Sequence, residues 1–181
     1  MKNIFFLIMI LSLGLSSQAQ FTKASLQASG LTCSMCSKAV KNAIETVPSV
    51  DKVMVDIKNQ QYNISFKPSA AINFDDLSKA VEDAGFSVAN LKVTAKVSDI
   101  KVEKDEHYLI DNKYFHFLNG YGKQLNGETT FTLVDKSFVS AKEFKKFSSS
   151  SKMKCVQTGK AAECCQKDDI TEQTRIFHVI I

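Results

Sequence analysis

Apolar positions in the first half of the chain switch between two periods. From Thr22 to Ala28, Ala24, Leu26 and Ala28 alternate with other positions, the pattern of a strand with one buried face. Ala39, Val40, Ala43, Ile44 and Val47 then recur at helical spacing, with Lys38, Lys41, Asn42 and Glu45 opposite, and Pro48 stops that helix. Val53, Val55 and Ile57 alternate with Met54, Asp56 and Lys58, and Tyr62, Ile64 and Phe66 alternate with Asn63, Ser65 and Lys67. Lys58-Asn59-Gln60 between them reads as a hairpin turn, without the strongest turn glycine. Asn73 or Asp75 caps a second helix with Leu77, Ala80, Val81 and Ala84 on its apolar stripe, and Gly85 ends it. Phe86, Val88 and Leu91 open a last strand. The order is β-α-β-β-α-β, a split βαβ sandwich with both helices on one face.

The second half has a different texture. Val97 to Lys104 and His107 to Leu118 read as strands, with Asp111-Asn112 a turn or bulge in the second. Gly120-Tyr121-Gly122 and Asn126-Gly127 mark turns. Thr129 to Val134 and Arg175 to Ile181 are β-prone runs, and Ser140-Ala141-Lys142-Glu143 offers a capping box for a short helix. Ser148 to Ser151 reads as a linker or loop. The expected fold class is α+β: a ferredoxin-like βαββαβ sandwich over residues 22–92, followed by a small, mostly-β domain of unknown function over residues 95–181.

Residues 1–20 change the picture of where the protein works. Lys2, an apolar run from Ile4 to Leu15, and Ser17-Gln18-Ala19 form the charged start, short apolar centre and small-residue ending of a signal peptide. The run is too short for a comfortable membrane span. The expected location is therefore periplasmic or secreted, with no span after cleavage. Charge excludes another class of partner. Residues 21–94 carry 8 Lys against 7 acids, residues 95–181 carry 14 basic against 12 acidic residues, and 22 of the 23 basic residues are Lys. No basic stripe results, and Lys is a poorer reader of bases than Arg, so nucleic acid is not an expected partner.

The chemistry is concentrated in Gly30-Leu31-Thr32-Cys33-Ser34-Met35-Cys36. A C-x-x-C pair lies between the first strand and the first helix, with Cys36 expected to begin the helix and Cys33 to stay on the loop. Thiolate is the ligand form of cysteine, and a helix N-terminus favours it. Two soft sulfurs on an exposed loop suit a low-coordinate soft ion, whereas structural zinc takes four ligands. This stretch resembles the Gly-Met-Thr-Cys-x-x-Cys loop of the heavy-metal-associated domain, the module of copper chaperones and metal-pumping ATPases. The resemblance continues through Val50-Asp51-Lys52-Val53, Ile64-Ser65-Phe66 and Ala80-Val81-Glu82-Asp83-Ala84-Gly85-Phe86. It implies Cys33 and Cys36 as metal ligands, Cu(I) as the ion with Hg(II) as the alternative, and a metal-transporting ATPase or other metal-binding protein as partner. Leu31 stands where the family has Met, a residue of similar volume. Phe86 stands where bacterial copper chaperones carry Tyr and eukaryotic ones Lys, so it brings neither hydroxyl nor charge to the loop.

A thiol–disulfide oxidoreductase using the same pair is the competing function. Against it, the chain has no Trp, and Ser34-Met35 replaces the Gly-Pro that the thioredoxin family places between its cysteines. No Ser-His-Asp or Cys-His arrangement and no phosphate loop can be argued, so an enzyme is not expected. Three further cysteines, Cys155, Cys164 and Cys165, cluster near the C-terminus. In an exported chain they suggest a disulfide from Cys155 to Cys164 or Cys165, stapling a polar segment with few apolar residues. The rival is a second metal site joining those cysteines to His116 or His178. On ideal strands His116 shares a face with Tyr114 and Leu118, and His178 with Ile176 and Ile180, which also suits imidazoles partly buried in a β-core.

Overall fold

The computed structural model describes residues 20–31, 33–165 and 170–181; the expected signal segment before Gln20, Thr32 of the cysteine loop and the side chain of Cys164 lie outside the described residues. Among the described residues eight strands form one sheet: β1 (Gln20–Ser29), β2 (Val50–Asp56), β3 (Gln61–Phe66), β4 (Ser87–Lys101), β5 (His107–Ile110), β6 (Lys113–Phe117), β7 (Gln124–Leu133) and β8 (Ile176–Ile180). The helices are α1 (Ser34–Glu45), α2 (Phe74–Asp83), α3 (Ala141–Ser148) and α4 (Lys154–Thr158). Strand order across the sheet is β2-β3-β1-β4-β7-β8-β6-β5. The first four strands and two helices are the expected β-α-β-β-α-β unit.

Local chemistry places these boundaries. In β1 the alternating Ala24, Leu26 and Ala28 are buried, and a register shift between Phe21 and Lys23 turns Phe21 inward as well. Asn73 caps α2 by accepting a hydrogen bond from Asp75 N. At its other end Gly85 takes φ +85°, and Phe86 N and Gly85 N donate to Val81 O and Glu82 O, the paired closure of a helix with a left-handed residue just beyond it. Ile57, expected on the buried face of β2, instead lies past its end in the turn and is 83% exposed. Asp56 organises that turn by accepting from Asn59 N and Asn59 Nδ2.

The second half extends the same sheet. β4 runs through the boundary expected near residue 95, merging two expected strands into one of 15 residues, and from Leu91 to Lys101 it pairs with β7. Asp99, at φ +54°, sits in the register shift that lets so long a strand bend. One apolar core spans both halves: Phe21 meets Phe115, and Phe74 meets Phe115 and Phe177, with ring centroids 5.3–6.4 Å apart. Arg175 adds a polar tie, since its Nε and Nη2 donate to the two carboxylate oxygens of Asp75 at 2.9 Å, and its guanidinium lies 4.2 Å from the Phe177 ring centre.

Alternation along β6 and β8 then separates two cores. Phe115, Phe117, Phe177 and Val179 face the shared core, while Leu118 and Ile176 join Val134, Val139, Cys155, Val156, Ala161, Cys165 and Ile170 in a second one. β6 and β8 are parallel and buried on both sides. This corrects the expectation that the polar segment around Cys155 and Cys165 has too few apolar residues to hold it. α4 and the turns after it supply Cys155, Val156, Ala161 and Cys165 to the second core, and no disulfide joins Cys155 to Cys165.

Candidate metal centre

α1 begins earlier than expected. Cys33 is its N-cap with extended φ −153° and ψ 164°, and its Sγ accepts a hydrogen bond from Cys36 N at 3.3 Å. Cys36 therefore lies within the first turn rather than opening it. The two sulfurs are 2.8 Å apart, Cys33 is exposed and Cys36 half-buried. Sequence reasoning thus named two residues that the fold brings together at a helix N-terminus, where the dipole favours negative sulfur.

The loop rests on apolar groups. Gly30 has φ +83°, a conformation that suits glycine, and a β-carbon there would lie 3.9 Å from Phe86 Cδ1. The turn at Gly85 delivers Phe86 to this place, and both Phe86 and Leu31 pack on the shared core. From the other side, buried Tyr62 of β3 donates to Ser37 O at 3.2 Å and meets Ser37 Oγ at 3.1 Å, anchoring the first turn of α1. The cysteines thus stand on a base anchored from both sides, with Met35 beside them 74% exposed.

The second half holds another group of donors. The two-residue turn Asp111-Asn112, with both residues at positive φ, pairs β5 with β6 so that His107 lies directly opposite His116. β8 sets His178 beside His116 in turn. The result is a row of three imidazoles across three strands, with ring centroids 5.0 and 5.4 Å apart. His116 and His178 are fully buried rather than partly so, and each leaves Nε2 without a hydrogen-bond partner among the described residues. Burial pushes the His116 pKa down to about 3, and the neighbouring His178 and His107 push the same way, so this imidazole is neutral at ordinary pH.

His178 is tied to a different partner. Its backbone N donates to Asp135 Oδ2 at 2.9 Å and its Nδ1 lies 2.8 Å from Oδ1; an ionised carboxylate only accepts, so Nδ1 carries the proton. Burial alone would raise the Asp135 pKa. The hydrogen bond and charge of His178 and the charge of Arg175 outweigh it and hold the carboxyl below its usual range. Cys155 Sγ points elsewhere, lying 3.8 Å from His107 Nε2 and 4.0 Å from His116 Nδ1. Sequence reasoning named Cys155 and His116 but passed over His107 and Asp135. The signal for His107 was present: a two-residue turn centred on Asp111-Asn112 pairs residues whose numbers sum to that of Ile110 and Lys113, which matches 107 with 116.

A β-α-β-β-α-β sandwich presenting two cysteines at the start of its first helix defines a small metal-binding module. Residues 25–87 match the heavy-metal-associated domain. The mercuric transport protein periplasmic component of Serratia marcescens is 34% identical over 86 residues, 48% of this chain and 93% of that protein. The chain belongs to the heavy-metal-associated domain family. The cation-transporting ATPase HMA5 of Oryza sativa subsp. japonica is 33% identical over 82 residues, 45% of this chain but only 8% of the ATPase's length. A solved structure of oxidized MerP from Ralstonia metallidurans CH34 aligns at 34% identity over 39% of this chain and 96% of its own, with a TM-score of 0.35. No helix among the described residues is long and apolar enough to cross a membrane.

Proposed function

We propose that this is an exported metal carrier that holds Cu(I) between Cys33 and Cys36 and hands it to a metal-transporting ATPase or another metal-binding protein, with Hg(II) as the alternative ion. The observation that carries this reading is the pair of sulfurs 2.8 Å apart on an exposed helix N-terminus. With metal–sulfur bonds of about 2.3 Å, linear coordination sets the two sulfurs about 4.6 Å apart. Loading therefore opens the loop, and exposure of Cys33 and Met35 leaves room to do so. Release is ligand exchange without redox change: a partner's thiolate bonds to the ion as Cys33 lets go, and a second replaces Cys36. Two ligands leave, two arrive, and the ion keeps its charge. The periplasmic or secreted location follows from residues 1–20 and is consistent with the periplasmic name of the mercuric relative.

The test is a Cu(I) titration of the reduced protein against a competing chelator. The wild-type chain should withdraw one equivalent more than the Cys33→Ser/Cys36→Ser variant. Equal uptake by both would refute the assignment.

A further inference from the structure

We infer that His107, His116 and Cys155 form a second, buried metal site for a borderline divalent ion of the Zn(II) class, separate from the cysteine loop. One ring nitrogen of each histidine and Cys155 Sγ all lie within 4.8 Å of one another. The site stands at the far edge of the sheet, on β5 and β6 with α4 above them, whereas the loop follows β1.

The spacing fits an ion. Zinc bonds of about 2.0–2.1 Å to nitrogen and 2.3 Å to sulfur at tetrahedral angles place an S···N pair about 3.6 Å apart. The observed separations from Cys155 Sγ are 3.8 Å to His107 Nε2 and 4.0 Å to His116 Nδ1, so shifts of about a few tenths of an ångström bring both S···N pairs to that spacing. Cross-strand pairing makes this arrangement rigid, because opposed residues of an antiparallel pair hold their side chains on one face.

The ring of His116 is also oriented as a ligand would be. With Nδ1 toward Cys155, Nε2 turns to Asp105, whose Oδ1 lies 3.7 Å away and accepts from Ser151 Oγ at 2.9 Å. A ligating histidine ordinarily gives its other N–H to a carboxylate, which fixes the tautomer. Among the described residues the Nε2 of this fully buried imidazole has no hydrogen-bond partner, an arrangement that costs stability. A metal ion on Nδ1 would fix the ring proton on Nε2, and Asp105 is the carboxylate that faces it. His178, the alternative ligand expected from the sequence, is committed through Nδ1 to Asp135 and stands outside this group. The mixed nitrogen and sulfur donors suit Zn(II), with water as the fourth ligand on the side of half-buried His107, whereas the loop offers sulfur alone.

Co(II) serves as the spectroscopic probe, with the full chain reduced and Cys33→Ser/Cys36→Ser removing the loop. One equivalent should give the visible bands of tetrahedral Co(II) and a near-ultraviolet thiolate-to-cobalt transition, both displaced by Zn(II). Cys155→Ser should remove the thiolate transition. His107→Gln, at a half-buried position, should weaken Co(II) binding about tenfold or more while the metal-free variant unfolds like its parent, since a ligand matters at least as much as an outer partner. A folded parent without the tetrahedral spectrum, or a spectrum unchanged by both substitutions, would overturn the proposal. Neither outcome depends on what the loop binds.

Discussion

The two cysteine-bearing regions use similar donors in opposite surroundings. Cys33 is exposed at a helix start, within reach of any incoming thiolate, while Cys155 is buried on α4 against two imidazoles. Exposure permits exchange and burial prevents it, so the same element can serve transit in one place and retention in another. The difference extends to stability. The loop contributes little to the core, whereas the row His107–His116–His178 and its neighbour Asp135 are part of it.

Stability measurements on variants sharpen that contrast. Asp135→Ala should be the most damaging, costing about 3–5 kcal/mol in denaturant unfolding, because it leaves Arg175 and His178 without their buried acceptor. The same carboxylate gives a pH signature. Its folded pKa lies below the unfolded 3.8, so its contribution is complete above about pH 4 and disappears as pH falls through the folded value. Asp135→Asn should flatten that acid limb, which unfolding curves collected between pH 2 and 6 would show.

Gly85→Ala comes next, at about 1–2 kcal/mol, because an alanine at φ +85° is strained and the turn that seats Phe86 under Gly30 would shift. This variant probes the boundary between the regions: the loop's support should suffer while the imidazole row is untouched. The smallest effect is expected at the loop itself. Cys33→Ser should change stability by no more than about 0.5 kcal/mol, because the residue is exposed and serine is a good helix cap. A loss comparable with that of Asp135→Ala would break the distinction between an exchange site and a structural one.

The two regions also differ in how far the sequence reveals them. The β-α-β-β-α-β unit is built from local signals: alternation in β1 and β3, the helical stripe of α2, its Asn73 cap and Gly85 terminus, and cysteines three residues apart. The second site depends on long-range pairing. His107, His116 and Cys155 converge only because β5 and β6 form a hairpin and α4 packs over it, and 39 residues separate His116 from Cys155. The continuation of β4 past residue 95 was hidden for the same reason. Its partner β7 lies beyond two intervening strands, and nothing in the composition of Thr94 to Val97 marks whether the strand stops or bends. Val156, Ala161 and Ile170 are spaced too irregularly to announce a core, yet a short helix and two turns collect them.

The first soft ion is expected to enter the exposed dithiol rather than the imidazole cluster. X-ray absorption at the copper edge, on reduced wild-type protein loaded with one equivalent of Cu(I), tests it most directly. Coordination by two sulfurs, with no outer-shell scattering from imidazole, is the predicted result. Imidazole scattering at that single equivalent would place the ion among His107, His116 and Cys155 and contradict the assignment of Cys33 and Cys36.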